Sequence, residues 1–245
     1  MKVLKYIFKL NIRCSRFLEN KFPTFFGYIS YSNELKSRID SSIKDNSDIL
    51  EVGGIDRPLL SKNQRYVYDG VDIEPKEKCH EIYDNFFVQT IEKPLNKSYD
   101  VIISITLLEH VLNNTASVKN IFSSLKDFGE THHYIPSKWH PYAIALRIVG
   151  PKLQKRLIPI LRPGTEDVTG YPAYFDHCSI PAMRRLLDDQ GFSKIQIKAY
   201  YRANDYFAFF TPFFIIITLF ENLCKKFNLE IFASGFIVSA QKISS

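Results

Sequence analysis

Four cysteines in 245 residues, Cys14, Cys79, Cys178 and Cys224, are scattered along the chain and form no Cys-x-x-Cys pair. Cys79-His80 and His177-Cys178 are adjacent pairs without the spacing of a usual zinc ligand set, so no metal is expected. Such cysteine usage fits a reduced, cytoplasmic protein. No apolar run reaches the roughly 18 to 20 uninterrupted residues that a membrane-spanning helix needs. No internal repeat or low-complexity tract stands out, and no small-residue cleavage pattern follows an apolar core near the start, which speaks against a signal peptide. Gly-x-Gly-x-x-Gly is missing too: Gly53-Gly-Ile-Asp-Arg-Pro58 does not have that spacing, which disfavours a nicotinamide-dependent dehydrogenase. The basic residues form no stripe with interleaved aromatics, so nucleic acid is not the expected partner.

What the chain does contain is a globular balance, 45% hydrophobic and 24% charged, in a length suited to one α/β domain with an appendage. Its formal net charge of +6 suits an anionic substrate or an anionic surface. Residues 2 to 18 place Leu4, Ile7, Phe8, Leu10, Phe17 and Leu18 among Lys2, Lys5, Lys9, Arg13 and Arg16, with Glu19 the first acid. A basic amphipathic helix with this pattern lies on an anionic membrane surface or packs its apolar face on the protein. An aromatic linker, Phe22 to Tyr31, leads to a helix from Ser32 to about Asp45, where Leu35, Ile39 and Ile43 recur every four residues.

Asp48-Ile-Leu-Glu-Val-Gly-Gly54 then reads as a buried strand breaking into a tight turn, the junction where an open α/β sheet holds a nucleotide. Tyr66 to Ile73 is a second strand ending in Asp72. An acid about 20 residues beyond the glycine turn can accept hydrogen bonds from both ribose hydroxyls. A third strand is expected over His80 to Val88, with Asp84 at the site edge. Tyr99 to Thr106 is a buried fourth strand running into Leu107-Leu-Glu-His-Val111, which makes Glu109 and His110 candidates for the same crevice. A helix from Thr115 to Leu125 and a fifth strand from Glu130 to Pro136 follow. Beyond them come a helix from Ser179 to Gln190 and closing strands over Phe192 to Tyr201 and Ile231 to Lys242.

The pieces Leu50-Glu-Val-Gly-Gly54, Gly70-Val-Asp-Ile73, Tyr99-Asp-Val-Ile-Ile-Ser104, Leu108-Glu-His-Val111, Gly191-Phe192 and Val238-Ser-Ala-Gln-Lys242 come in an order that resembles class I S-adenosylmethionine-dependent methyltransferases. The resemblance implies a doubly wound, mostly parallel, seven-stranded α/β sheet with an antiparallel last strand, and S-adenosyl-L-methionine as cofactor. It implies that Glu51, Gly53 and Gly54 line the methionine end and that Asp72 holds the ribose, with Ile73, Asp84, Ser104 and Glu109 completing the cofactor-binding set. The chain departs from the family pattern at Ile55, where the next alternating glycine would fall.

The expected division is an N-terminal helix and linker over 1–30 and a methyltransferase-like domain over 31–245. That domain carries an acceptor-side insertion at 137–175 and an apolar insertion at 205–230. The first insertion is rich in Lys138, Arg147, Lys152, Lys155, Arg156 and Arg162, and offers Trp139, Tyr171 and Tyr174 for stacking on a sugar. It suits an anionic glycan, lipid-linked or small-metabolite acceptor. His140, just past the fifth strand, is the leading candidate for the base, with His110 second. The almost wholly apolar run Tyr206 to Phe220 is too short to span a bilayer comfortably. Together with the basic first helix, it suggests peripheral attachment to an anionic membrane surface.

Overall fold

The computed structural model describes residues 2–27, 29–55, 57–161, 171–201 and 203–244, with side chains from residue 6 onward except at 160 and 161. Asp56 of the glycine turn and Arg162 of the basic excursion lie outside the described residues. The chain divides into two compact units. One comprises Tyr31–Pro136, Tyr174–Lys198 and Phe236–Ser245; the other comprises Met1–Ser30, Ser137–Ala173 and Ala199–Gly235.

Seven strands form one sheet: β1 (Ser47–Val52), β2 (Tyr66–Asp72), β3 (Phe86–Val88), β4 (Tyr99–Ile105), β5 (Leu125–Pro136), β6 (Phe192–Tyr200) and β7 (Gly235–Lys242). Their order across the sheet is β3-β2-β1-β4-β5-β7-β6. β1 pairs in parallel with β2 and β4, β2 with β3, and β4 with β5. Ile49 and Leu50 of β1 and Ile102 and Ile103 of β4 are fully buried, as expected of central parallel strands covered on both faces. β7 runs against its neighbours. Its late residue Gln241 bonds the carbonyl of Phe128 near the start of β5 and accepts from Ser193 at the start of β6, while Ser239 meets His132 further along β5. The α/β architecture implied by the sequence, parallel with an antiparallel last strand, is the one observed.

Helix α3 (Tyr31–Ser42) buries Leu35 and Ile39, one turn apart, and Tyr31 stacks on Tyr134 of β5 with ring centroids 3.5 Å apart. α4 (Cys79–Ile82) is a single turn. α5 (Asn114–Ser124) is capped by the Asn113 side chain, which accepts from Ala116 N at 3.0 Å. α7 (Ile180–Asp189) buries Met183, Leu186 and Leu187 on one face.

Three boundaries differ from the sequence expectation. The third strand is only Phe86–Val88, because Cys79–Ile82 turns as helix α4 and brings the buried Tyr83 against Phe86 and Tyr68. The fifth strand begins at Leu125 without an intervening loop; Phe128 at φ 62 and a register shift opposite Tyr99 absorb the irregularity as a bulge. The last strand starts at Gly235, since Glu230–Phe232 forms a 3-10 turn.

The other unit contains α1 (Lys2–Lys21), α2 (Pro23–Phe26), α6 (Pro141–Leu161) and α8 (Thr211–Lys226). α6 is two helical segments joined at Gly150, which takes φ 72 and ψ 158 just before Pro151. Phe26, Ala208 and Phe214 form a small core with Leu18 and Ile215 against it, and Phe26 stacks on Phe214 at 5.5 Å. Among the described residues no helix is long and apolar enough to cross a membrane.

Truncating Ile103, fully buried at the centre of the sheet, to alanine is expected to cost about 2 to 5 kcal/mol. Chemical denaturation reads this directly, and an unchanged midpoint would contradict the placement of β4 as a central strand.

Candidate active site

β1 sets the geometry of the crevice. Val52 stands opposite Val71 of β2 and Ser104 of β4, so Gly53, Asp72 and Ile105 leave the sheet at the same edge. Gly53 takes φ 84, and its N–H donates to the carbonyl of Val71 at 2.9 Å. A Cβ on Gly53 would lie 2.7 Å from Leu107 Cδ1, so the segment after β4 packs directly over this turn. A Cβ on Gly54 would come within 2.3 Å of the Tyr83 hydroxyl and 2.4 Å of the Glu51 carboxyl carbon, a space no larger residue can use. Arg57 N closes the turn by donating to Gly54 O at 2.9 Å. Ile55, where the sequence departs from alternating glycines, adopts φ 45, a left-handed conformation that is costly for a β-branched residue.

Glu51 lies beneath the turn. Its carboxylate is fully buried and accepts from the hydroxyls of Tyr68 and Tyr83, the latter at 3.1 Å, and from Leu59 N at 3.2 Å. Burial pushes its pKa up to about 7 despite these donors. Glu51 therefore braces the turn that it leads into. The sequence contained no signal for Tyr83, which reaches Glu51 from a helix turn that resembled strand.

Asp72 is half-buried at the end of β2. Its Oδ1 accepts from Glu74 N at 2.9 Å, which leaves lone pairs for another donor, and burial raises its pKa. Ile73 beside it is exposed. Asp84 does not join them. It precedes β3, where Oδ2 accepts from Tyr68 N at 2.8 Å and Oδ1 pairs with Lys62 at 2.9 Å. Its partner Tyr68 is four residues before Asp72, so Asp84 ties the early half of β2.

Ser104 is at the correct edge but is engaged. Its Oγ lies 2.7 Å from His133 Nδ1, while His133 Nε2 meets Thr131 Oγ1, whose hydroxyl donates to the carbonyl of Ile102. Because Thr131 has given its proton to that carbonyl, the imidazole donates from Nε2 and accepts at Nδ1 from Ser104. Burial holds His133 down to about 3, hence neutral. This hydrogen-bonded chain was not legible in the sequence.

Glu109 and His110 form a 3-10 turn, Leu108–His110, immediately beyond β4. The main-chain carbonyl of Glu109 accepts from Tyr174 N at 2.8 Å and Phe175 N at 3.0 Å, which fixes the turn. Its side chain is enclosed, with Oε2 lacking a hydrogen-bond partner among the described residues, and burial raises its pKa to about 8. His110 Nε2 stands 3.7 Å from Glu109 Oε1, with the imidazole partly exposed.

His140 belongs to the other unit and is buried. Nδ1 accepts from Tyr142 N at 3.1 Å, Nε2 lies 3.4 Å from Glu221 Oε1 without hydrogen-bond alignment, and Phe220 packs edge-on to the ring. Its apolar neighbour Phe220 comes from a helix 80 residues on, a contact no local pattern announces. In the same unit, Lys138 Nζ and Arg147 Cζ lie 5.2 and 5.9 Å from the Trp139 ring centre.

A methyltransferase domain family matches residues 29–197, more than two thirds of the sequence. The chain belongs to this methyltransferase family. No curated protein matches the sequence. Among solved structures, a SAM-dependent methyltransferase from Archaeoglobus fulgidus is similar at TM-score 0.52 and 14% identity, covering 92% of this chain and 98% of that one. Phosphoethanolamine N-methyltransferase 2 of Haemonchus contortus, in complex with phosphomonomethylethanolamine and S-adenosylhomocysteine, is similar at TM-score 0.52 and 12% identity. It covers 93% of this methyltransferase chain, which spans 59% of the nematode enzyme's length. The [4+2]-cyclase SpnF is similar at TM-score 0.53 and 12% identity, covering 86% of this chain and 81% of that one. At these identities the likeness establishes the fold. For a methyltransferase-family chain the cofactor is S-adenosylmethionine, and a second Haemonchus contortus structure of that enzyme holds it.

Because native Glu109 keeps its proton from the ordinary carboxylate value of 4.5 up to about 8 while the unfolded chain releases it, its contribution to stability falls as pH rises through that range. Denaturation of the wild type and Glu109→Gln across pH 4 to 9 should show the wild type losing stability relative to the variant as pH rises. Parallel curves would show that the carboxyl is solvated.

Proposed function

We propose that this chain is an S-adenosylmethionine-dependent methyltransferase that methylates a hydroxyl of a glycan, lipid-linked or small-metabolite acceptor at the cytoplasmic face of a membrane. The observation that carries the reading is the shared edge at which the Gly53-Gly54 turn, Asp72 and the Leu108–His110 turn emerge around β1.

The residues present fit the cofactor. Asp72 has a carboxylate with unused acceptor capacity for a ribose diol, and exposed Ile73 beside it gives an apolar border for a planar base. The turn from Gly53 to Ile55, covered by Leu107, would hold the methionine end. When bound, the cofactor supplies a methyl group already activated by its sulfonium. The protein's remaining tasks are alignment and removal of the acceptor's proton. Partly exposed His110, oriented beside Glu109, is the proposed base, in preference to the enclosed His140.

Ile55 at φ 45 favours a second reading, a non-catalytic member of the fold that keeps the cofactor site without turnover. Calorimetry with S-adenosylhomocysteine separates the possibilities in two steps. Binding that weakens roughly 10- to 100-fold in Asp72→Ala supports the site, by loss of hydrogen bonds to a charged acceptor; an unchanged affinity removes Asp72 from it. Labelled methyl transfer to a component of a cell extract then excludes the non-catalytic reading, while binding without transfer to any component supports it.

A further inference from the structure

Two helices of the unit formed by Met1–Ser30, Ser137–Ala173 and Ala199–Gly235 are paired through polar groups. Ser15 Oγ of α1 donates to the carbonyl of Ala208 at 3.1 Å, just ahead of α8. Asn11 of α1 accepts from Thr211 of α8 twice, at its side-chain Oδ1 from the amide and at its carbonyl from the hydroxyl, both at 3.0 Å. The enclosed face of α8 carries further polar groups. Thr218 accepts from Asn204 Nδ2 at 3.1 Å, and Glu221 accepts from Ala203 N at 2.7 Å.

The outward faces are the reverse. On α8 the exposed residues at three- and four-residue spacing are Phe213, Ile216, Leu219 and Leu223, with Ile216 57% and Leu223 54% accessible. On α1 the exposed positions include Ile7, Leu10 and Phe17, bordered by Lys9 and Arg13. A helix adapted to water turns its apolar stripe inward and its polar residues outward; α8 is apolar on both sides, with Phe214 enclosed and Phe213, Ile216, Leu219 and Leu223 outward, and α1 exposes apolar and basic side chains together. The pattern is concentrated: of 32 exposed large apolar side chains among the described residues, 24 belong to this unit, far beyond isolated surface apolar residues.

The charge of the same surface selects its partner. Lys9, Arg13, Lys225 and Lys226 are exposed and make no ion pair among the described residues. The acids of the two helices are engaged, Glu19 with Arg16 and Glu221 in the interior. A second copy of the chain would bring equal positive charge to this rim, whereas anionic headgroups neutralise it while the acyl region takes up the apolar stripe. Sixteen residues of helix reach about 24 Å, short of the roughly 30 Å hydrocarbon layer, so α8 lies along the interface.

We propose that the outward faces of α1 and α8 dock this protein on an anionic lipid bilayer, with Phe213, Ile216, Leu219 and Leu223 inserted and the flanking lysines on headgroups. The proposal makes specific the membrane-surface reading above and identifies the elements responsible.

The test is flotation of the full chain with phosphatidylcholine vesicles prepared with and without phosphatidylglycerol, alongside S-adenosylhomocysteine calorimetry on the same samples. Flotation is expected with the anionic vesicles and diminished by high salt. Ile216→Glu with Leu223→Glu should weaken partition roughly 100-fold through lost apolar burial and added like charge. Lys225→Glu with Lys226→Glu, on the exposed end of α8, should weaken it on anionic vesicles alone and leave the fold intact by circular dichroism. Failure of the wild type to float would overturn the proposal, as would variants that float like it. A vesicle-free dimer that the Ile216 and Leu223 substitutions dissociate, and that anionic vesicles leave intact, would assign the face to a second copy. Because cofactor binding is read separately, loss of docking and loss of the methyltransferase reading are distinguishable.

Discussion

Everything at the crevice depends on how β1 is held. The strand is enclosed by parallel neighbours on both sides, and its buried carboxylate, Glu51, is tied by two tyrosine hydroxyls and a main-chain amide directly beneath the turn it leads into. A buried acid is costly unless its lone pairs are engaged, so Tyr68, Tyr83 and Leu59 are constrained together with it. That arrangement leaves Gly54 no room for a side chain and fixes where the chain emerges relative to Asp72.

The two units place their polar groups differently. In the sheet-bearing unit, polar residues within the core include hydrogen-bonded chains such as Ser104–His133–Thr131, and apolar residues fill most of the rest. In the helical unit, hydrogen bonds join α1 to Ala208 and Thr211 beside a small apolar core, while further phenylalanine, isoleucine and leucine side chains face outward. That outward apolar face is the surface for which lipid docking is proposed.

Much of the fold was legible in the sequence because parallel strands buried on both faces are near-continuous apolar runs, as in Val101 to Ile103 and in Ile49 to Val52, which carries one acid, Glu51. Asp72 was legible for the same reason, as the acid where a run ends. The third strand was misread because residues 79 to 88 contain a helical turn too short to show a period. Glu51, Ser104, Asp84 and His140 were recognised as chemistry-bearing residues, yet their surroundings come from distant parts of the chain: Tyr83, His133, Lys62 and Glu221. Sequence spacing identifies which side chains reach a strand end, and packing decides whether they are free to act there.

The central claim is that the ends of β1, β2 and β4 form one cofactor site. Amide hydrogen exchange with and without S-adenosylhomocysteine addresses it directly. The expected result is slowed exchange confined to Gly53–Ile55, Ile73–Glu74 and Leu107–His110. Protection elsewhere in the chain with these three segments unchanged would contradict the account.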